Sequence, residues 1–353
     1  MTARGGMRAK VELGELTGRV WQILLWACLS FFWLIWFEVF CGKMFPRLGY
    51  LFGQPIGNDP PCIKPECDFS DFWRAGFSAR FPEAQSVPGN LASSFVPGVR
   101  LPVPGGYHEG FPYPPPALLP AAAISHLPFE LGFFVWAVCM VLAAVAILRW
   151  AKLPWLVILA GILSPAALWN TELGQFGVIC GAILVAGLLR LPVSSVRAGF
   201  LLGLLTCKPQ YGLLIPATLF GSREMRGFLA ISASCLIIFL FTILSFGPQI
   251  WLQWLGHGQQ GGVNILSAGF NPRMAQGTGV SVLWMLHSLR VPHLLATVIQ
   301  TFVSIVAMVC CIFVWRWRNL EILDATAMTV LLSLLATPYG YVDDMVGVGL
   351  ILA

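Results

Sequence analysis

The chain has 353 residues, 57% of them hydrophobic and 10% charged, with a formal net charge of +5. A soluble domain carries roughly 25% charged residues, so this composition excludes an ordinary soluble fold. The Lys and Arg residues are scattered, which leaves no basic stripe for a nucleic-acid partner, and the apolar runs are continuous rather than alternating, which selects an all-α polytopic membrane protein over a β-barrel.

The head, residues 1–19, carries Arg4, Arg8, Lys10 and Arg19. The apolar run at 20–41 is long enough to span a bilayer and too long for a signal-peptide core, so we read it as a retained first helix with a cytoplasmic N-terminus. A long polar loop follows at 42–112, and loops of that length in a compact protein usually serve function or are disordered. It contains Cys67-Asp68-Phe69-Ser70-Asp71-Phe72-Trp73-Arg74-Ala75-Gly76. Asp68 and Asp71 are three apart, so a helix would project both carboxylates from one face. Phe69, Phe72, Trp73 and Ala75 give that helix an apolar side suited to a bilayer surface. Cys62 and Cys67 could pair if the loop faces an oxidising compartment; two thiols without nearby His or further Cys make only half a metal site. The other Cys residues lie mostly in apolar runs, where they act as small hydrophobes.

The loop closes with Tyr113-Pro114-Pro115-Pro116, an extended, stiff approach to the membrane. Tyr113 reads as an interfacial aromatic anchor or as a ligand contact. Residues 117–127 predict a partial helix cut by Pro128, then a span at 129–148 with Arg149 and Lys152 behind it. A span at 153–169 returns to Gly174-Gln175, and 176–189 crosses back to Arg190 and Arg197. Two short apolar pieces, 198–207 and 211–220, are interrupted by Lys208-Pro209-Gln210. Such a break is tolerated at membrane depth only where it lines a protein cavity. Further spans are predicted at 227–246, 294–314 and 322–336, with a second polar loop at 247–279, a short apolar piece at 280–289 and a last apolar stretch reaching Ala353. The result is a single domain over 1–353, a bundle of roughly ten helices including short broken ones. The positive-inside rule puts the Arg/Lys pairs on one side and the 42–112 and 247–279 loops on the extracytoplasmic side of a plasma membrane.

Lys208 is the most informative single residue. A Lys at membrane depth costs roughly 2.5–3.5 kcal/mol on insertion scales, so it needs a partner or a wet cavity. One partner is an anionic ligand group such as a lipid phosphate; the other is a buried acid, for which Glu38 and Glu130 are at hand. Replacing Lys208 by Met is expected to weaken use of such an anionic ligand and spare the fold. Gln175, between Gly174 and Phe176, stands where a ligand or another backbone can approach closely. Asp343-Asp344 can cap the following helix or line a cavity. His257, Arg273 and Tyr339 complete a polar rim. No Walker motif, His-Glu-x-x-His, Gly-x-Ser-x-Gly or paired Cys-x-x-Cys is present, which leaves soluble nucleotides, zinc and a serine nucleophile unsupported.

The chain resembles the family-87 glycosyltransferases, integral membrane enzymes of the GT-C class that use polyprenyl-phosphate sugars, typically mannose. The resemblance is carried by Asp68-Phe69-Ser70 with Phe72-Trp73 and Ala75-Gly76, by Tyr113-Pro114-Pro115 and by Gly174-Gln175. It continues through Ala198-Gly199, Gly203, Lys208-Pro209-Gln210 and Gly212-Leu213-Leu214 to Ala336-Thr337-Pro338-Tyr339 and Asp344. Asp71 and Asp343 depart from it, standing where the family usually has an apolar and an aromatic residue, and Asp71 therefore competes for the role of base. The resemblance implies a GT-C-like bundle and inverting transfer of a sugar, mannose first, from a polyprenyl-phosphate carrier to a glycan or glycolipid hydroxyl. It implies Asp68 as base and Lys208, Gln210, Gln175 and Tyr113 on the donor. Asp71, His257, Arg273, Tyr339 and Asp344 are left for the acceptor or rim, with no cofactor and no metal. A bacterial inner membrane is the expected location. Two other classes compete: a transporter or flippase, since broken helices and a mid-membrane charge also mark transporters, and a non-catalytic membrane scaffold.

Overall fold

The computed structural model describes residues 68–80, 113–255, 275–317 and 320–353, with isolated positions between 34 and 41 and between 263 and 270. Most of the expected first span and of both polar loops, with Cys62, Cys67, His257 and Arg273, lies outside the described residues. The described residues fold as helices, joined by one isolated bridge between Gly279 and Tyr341.

In chain order the helices are α1 (Asp68–Arg80), α2 (Leu118–Ile124), α3 (Phe129–Trp150), α4 (Trp155–Ile162), α5 (Pro165–Leu173), α6 (Gly177–Arg190), α7 (Ser195–Gly203), α8 (Ile215–Ser222), α9 (Met225–Phe246), α10 (Gln249–Gln253), α11 (Val282–Ser288), α12 (His293–Arg316), α13 (Ile322–Ala336) and α14 (Val346–Leu352). Among the described residues α3, α9 and α12 are long and apolar enough to cross a membrane. Helices of this length and hydropathy are those of an integral membrane protein. Their ends are set locally. Pro128 and Pro292 stand at the N-caps of α3 and α12, where a missing N–H costs no intrahelical bond.

The expected single span at 153–169 is instead two helices, α4 and α5, bent by 54°. The sequence carries the reason. Pro165 cannot donate to the α4 carbonyls, and Ser164 starts a new helix by accepting a hydrogen bond from Ala167 N at 3.4 Å. Lys208-Pro209 also breaks the chain as expected: α7 tightens into a 3-10 turn at Leu204–Cys207, Lys208 leaves the helical region, and a second 3-10 turn at Pro209–Gly212 leads to α8.

The centre of the bundle is α6, whose residues Val178 to Leu188 are almost all buried. A helix that is apolar on every side belongs in such a place. Around it, α7 meets α9 through small residues. A Cβ on Gly199 would lie 2.7 Å from Ala230 Cβ, and one on Gly203 would lie 2.5 Å from Ser234 Cβ. Small residues four apart let two helices approach where lipid supplies no hydrophobic push. Polar side chains add interhelical bonds: Gln300 Nε2 of α12 donates to Leu335 O of α13 at 2.9 Å, and Trp315 Nε1 donates to Thr329 Oγ1 at 2.8 Å.

The acidic helix α1 does form, but its apolar side faces protein, not a bilayer surface. Phe69, Phe72 and Trp73 are buried. Trp73 Nε1 donates to Leu127 O at 3.1 Å, and the Arg80 guanidinium donates to Ser125 O at 2.8 Å. At the α1–α2 crossing, Gly76 leaves room for the backbone carbonyl of Ala121, which any Cβ would overlap. Gly76→Val should therefore lift α1 from α2 and cost on the order of 1–3 kcal/mol, read as a lower thermal-unfolding midpoint in detergent. An unchanged midpoint would contradict this packing.

Candidate active site

The turn between α5 and α6 organises the site. Gly174 closes α5 in the left-handed region at φ +70°, and a Cβ there would meet Phe69 Cβ at 2.5 Å. Trp136 Nε1 donates to Gly174 O at 2.8 Å, and Gln175 N donates to Asn170 O at 3.0 Å. This backbone aims the Gln175 side chain at two polar groups. Its Nε2 donates to Asp68 Oδ2 at 2.7 Å, and its Oε1 accepts from the Tyr113 hydroxyl at 2.8 Å. Tyr113 is thus a member of a hydrogen-bonded chain rather than an interfacial anchor. Pro114 to Pro116 lead from it directly into the first turn before α2.

Asp68 is the first residue of α1 and is half-buried. The residues beside it are aromatic. Phe69 packs on Phe129 and Phe133, each at 5.4 Å between ring centroids; Phe72 packs on Trp136 at 4.5 Å and Phe176 at 5.7 Å. Loss of hydration in this recess pushes the Asp68 carboxyl up to about 7, helped by the negative charges of Asp343 and Asp71. The Gln175 hydrogen bond and the Lys208 charge pull the other way. Asp71, one turn on, is half-buried as well. Burial also pushes the Tyr113 hydroxyl up, so it stays a donor.

On the other side of Phe176 lies a buried ion cluster. Lys208 is 2% exposed, and its Nζ stands 2.6 Å from Asp344 Oδ1 and 3.4 Å from Asp343 Oδ2. The acid partners of Lys208 are these two, not Glu38 or Glu130. The ammonium also sits 5.5 Å from the ring centroids of Phe176 and Tyr211, within cation–π range. Asp344 Oδ2 accepts from Tyr341 N at 3.2 Å, so the capping role of Asp344 and its ion pair coexist. Asn170, fully buried, joins the cluster to the turn: its Nδ2 donates to Asp343 O at 3.3 Å and its Oδ1 accepts from Val178 N at 3.2 Å, in the first turn of α6. The Tyr211 hydroxyl donates to Gly177 O at 3.4 Å. Phe176 touches both halves, with Tyr113 at 5.0 Å and Phe72 on one side and the Lys208 ammonium on the other.

The structure therefore brings together Asp68, Gln175 and Tyr113, and beside them Lys208 and Asp344. Gln210 lines a cavity of about 10 Å³ with Tyr211, Ser333, Thr337 and Asp344, room for about one water. Tyr339 stands in the turn before Asp343, where its N–H donates to Thr337 Oγ1 at 3.1 Å. Sequence reasoning missed Asn170, Phe176 and Tyr211. Asn170 carried a weak signal, as an amide beside Gly174-Gln175; an aromatic among so many carries none.

The family model described as Glycosyltransferase family 87 matches residues 111–338, more than half of the chain. The matched span contains Tyr113, Asn170, Gln175, Lys208 and Tyr211; it begins after Asp68 and ends before Asp343. No curated protein matches the chain, and no solved structure does.

The ion cluster revises what replacing Lys208 should do. Lys208→Met leaves two buried carboxylates without their cation, which typically costs about 3–5 kcal/mol, so the fold should suffer together with activity. Lys208→Met combined with Asp344→Asn should regain part of that loss. Thermal midpoints of the two variants in detergent check this. Equal midpoints for wild type and Lys208→Met would contradict the pairing.

Proposed function

The chain belongs to glycosyltransferase family 87, and on that premise we propose that it moves a sugar from a polyprenyl-phosphate carrier to a hydroxyl of a glycan or glycolipid acceptor. Mannose is the first candidate sugar. Transfer takes place on the extracytoplasmic face of a bacterial inner membrane. The donor enters from the lipid side, and its anomeric carbon is attacked from the face opposite the phosphate, so the configuration inverts.

The observation that carries this reading is the half-buried Asp68 carboxyl, held at 2.7 Å by Gln175 and pushed up to about 7 by its surroundings. A base is most useful when its pKa lies near the working pH. Asp68 accepts the acceptor's proton as its oxygen attacks, and the carrier phosphate leaves with the electron pair of the broken glycosidic bond. Lys208 acts on the phosphate side. Its charge is already met by Asp343 and Asp344. The phosphate therefore engages Lys208 in exchange for a carboxylate.

The test is sugar transfer by the purified protein from synthetic polyprenyl-phosphate donors carrying several sugars, with protein amount and monodispersity matched. Asp68→Asn keeps the shape and removes the proton acceptor, and should lower turnover roughly 10²–10⁴-fold. Asp71→Asn should cost much less. Near-normal turnover in Asp68→Asn with a dead Asp71→Asn would move the base to Asp71. Absence of transfer from every lipid-phosphate donor would remove the carrier from the account and leave room for transport or a scaffold role. The pH dependence has a definite sign. Below about 7 Asp68 holds a proton and cannot accept another, so kcat/KM should rise with pH through an inflection near 7. An inflection near the ordinary carboxylate range would contradict the burial of Asp68.

A further inference from the structure

We propose that Gln175 is a positioning residue: held by Tyr113, it occupies Oδ2 of Asp68 and thereby assigns the acceptor's proton to Oδ1. The inference rests on the reading of Asp68 as the base and replaces the expectation that Gln175 contacts the donor.

An amide side chain has no proton to exchange near neutral pH, so Gln175 can act only by where it holds others. Its backbone is fixed on two counts, by its own N–H on Asn170 O and by the left-handed Gly174 whose carbonyl Trp136 holds. Its side chain is fixed on two more. The Tyr113 hydroxyl donates to Oε1, so the Nε2 end must face Asp68, and that end donates to Oδ2. When Asp68 is ionised the orientation has one sense, because a reversed amide would set its oxygen against a carboxylate that can only accept. One oxygen of Asp68 is thereby engaged and oriented before any substrate arrives, as a preorganised base requires.

A hydrogen bond to the ionised form also favours that form. The other groups that face Asp68 divide by sign. Asp71 on the same helix and Asp343 from the 3-10 turn at Val342–Met345 oppose its charge. Lys208, from the break between α7 and α8, favours it. Gln175 is the direct hydrogen-bond partner among them.

The experiment measures kcat, the donor KM and the pH profile of kcat/KM for wild type, Gln175→Leu, Tyr113→Phe and Asp68→Asn. Gln175→Leu should lower kcat, leave the donor KM within about twofold of wild type, and move the inflection upward by about one to two pH units, the size expected for losing a hydrogen bond to a charged group. Tyr113→Phe frees the amide without removing it, so it should move the inflection the same way by less. An unmoved inflection with a raised donor KM would return Gln175 to the donor and overturn the proposal. An unmoved inflection with only a lower kcat would make Gln175 merely structural, which also overturns it. If Gln175→Leu does not fold, Tyr113→Phe decides on the same criterion. Near-normal turnover in Asp68→Asn would instead sink the base on which the proposal stands, a failure distinguishable from the others.

Discussion

The structure hangs on a cation placed where lipid would not tolerate it alone. Lys208 lies at a break between two short helices and is almost fully buried. It is held by Asp344 and by Asp343, which lies 135 residues further along the chain. A buried ion pair adds little net stability over an apolar alternative, but it is costly to unmake, and so it fixes register. Here it locks the break to the turn at Val342–Met345. Asn170 extends the lock to the start of α6 by bonding both Asp343 O and Val178 N. The end of α5 then determines where Gly174 turns and where Gln175 points, and Gln175 holds Asp68. A line of contacts thus runs from the buried cation to the carboxylate.

The aromatic residues set the chemistry of that carboxylate. Phe69 and Phe72, next to Asp68 on α1, pack on Phe129, Phe133, Trp136 and Phe176, so the half-buried carboxyl stands beside an aromatic cluster. Full exposure would give an acid too weak as a base at neutral pH. Full burial would close it to an acceptor. Phe176 also separates Asp68 from the ion cluster while touching its cation, so the two charged halves feel each other without forming a direct pair. Burial is the main reason Asp68 shifts upward despite Lys208 nearby, and the charges of Asp343 and Asp71 add to it.

Much of this was legible in the sequence. Long apolar runs identified α3, α9 and α12, and Lys208-Pro209 announced the break, because helix hydropathy and proline sterics act locally. The break at Ser164-Pro165 escaped notice, since the flanking residues are apolar enough to continue a span and only the Ser cap and Pro ring argue otherwise. Partners were the hard part. Nothing near Lys208 in sequence names Asp343 or Asp344, and the candidates Glu38 and Glu130 were only the more conspicuous acids. The apolar side of α1 was read as a lipid contact because composition cannot tell a membrane surface from a neighbouring helix; Gly76, which admits Ala121, was the hint. Asp68, Gln175 and Tyr113 were each named, but their joining into one hydrogen-bonded chain is a property of the fold.

The central claim is that Asp68 serves as a base in a single displacement and never bonds to the sugar. The anomeric configuration of the transferred sugar tests it most directly, read from the one-bond carbon–proton coupling of a product made from carbon-labelled donor. Attack by the acceptor opposite the leaving phosphate predicts a product inverted relative to the donor. Retention would require two displacements through a covalent intermediate or attack on the face the phosphate leaves from, and either would contradict the account.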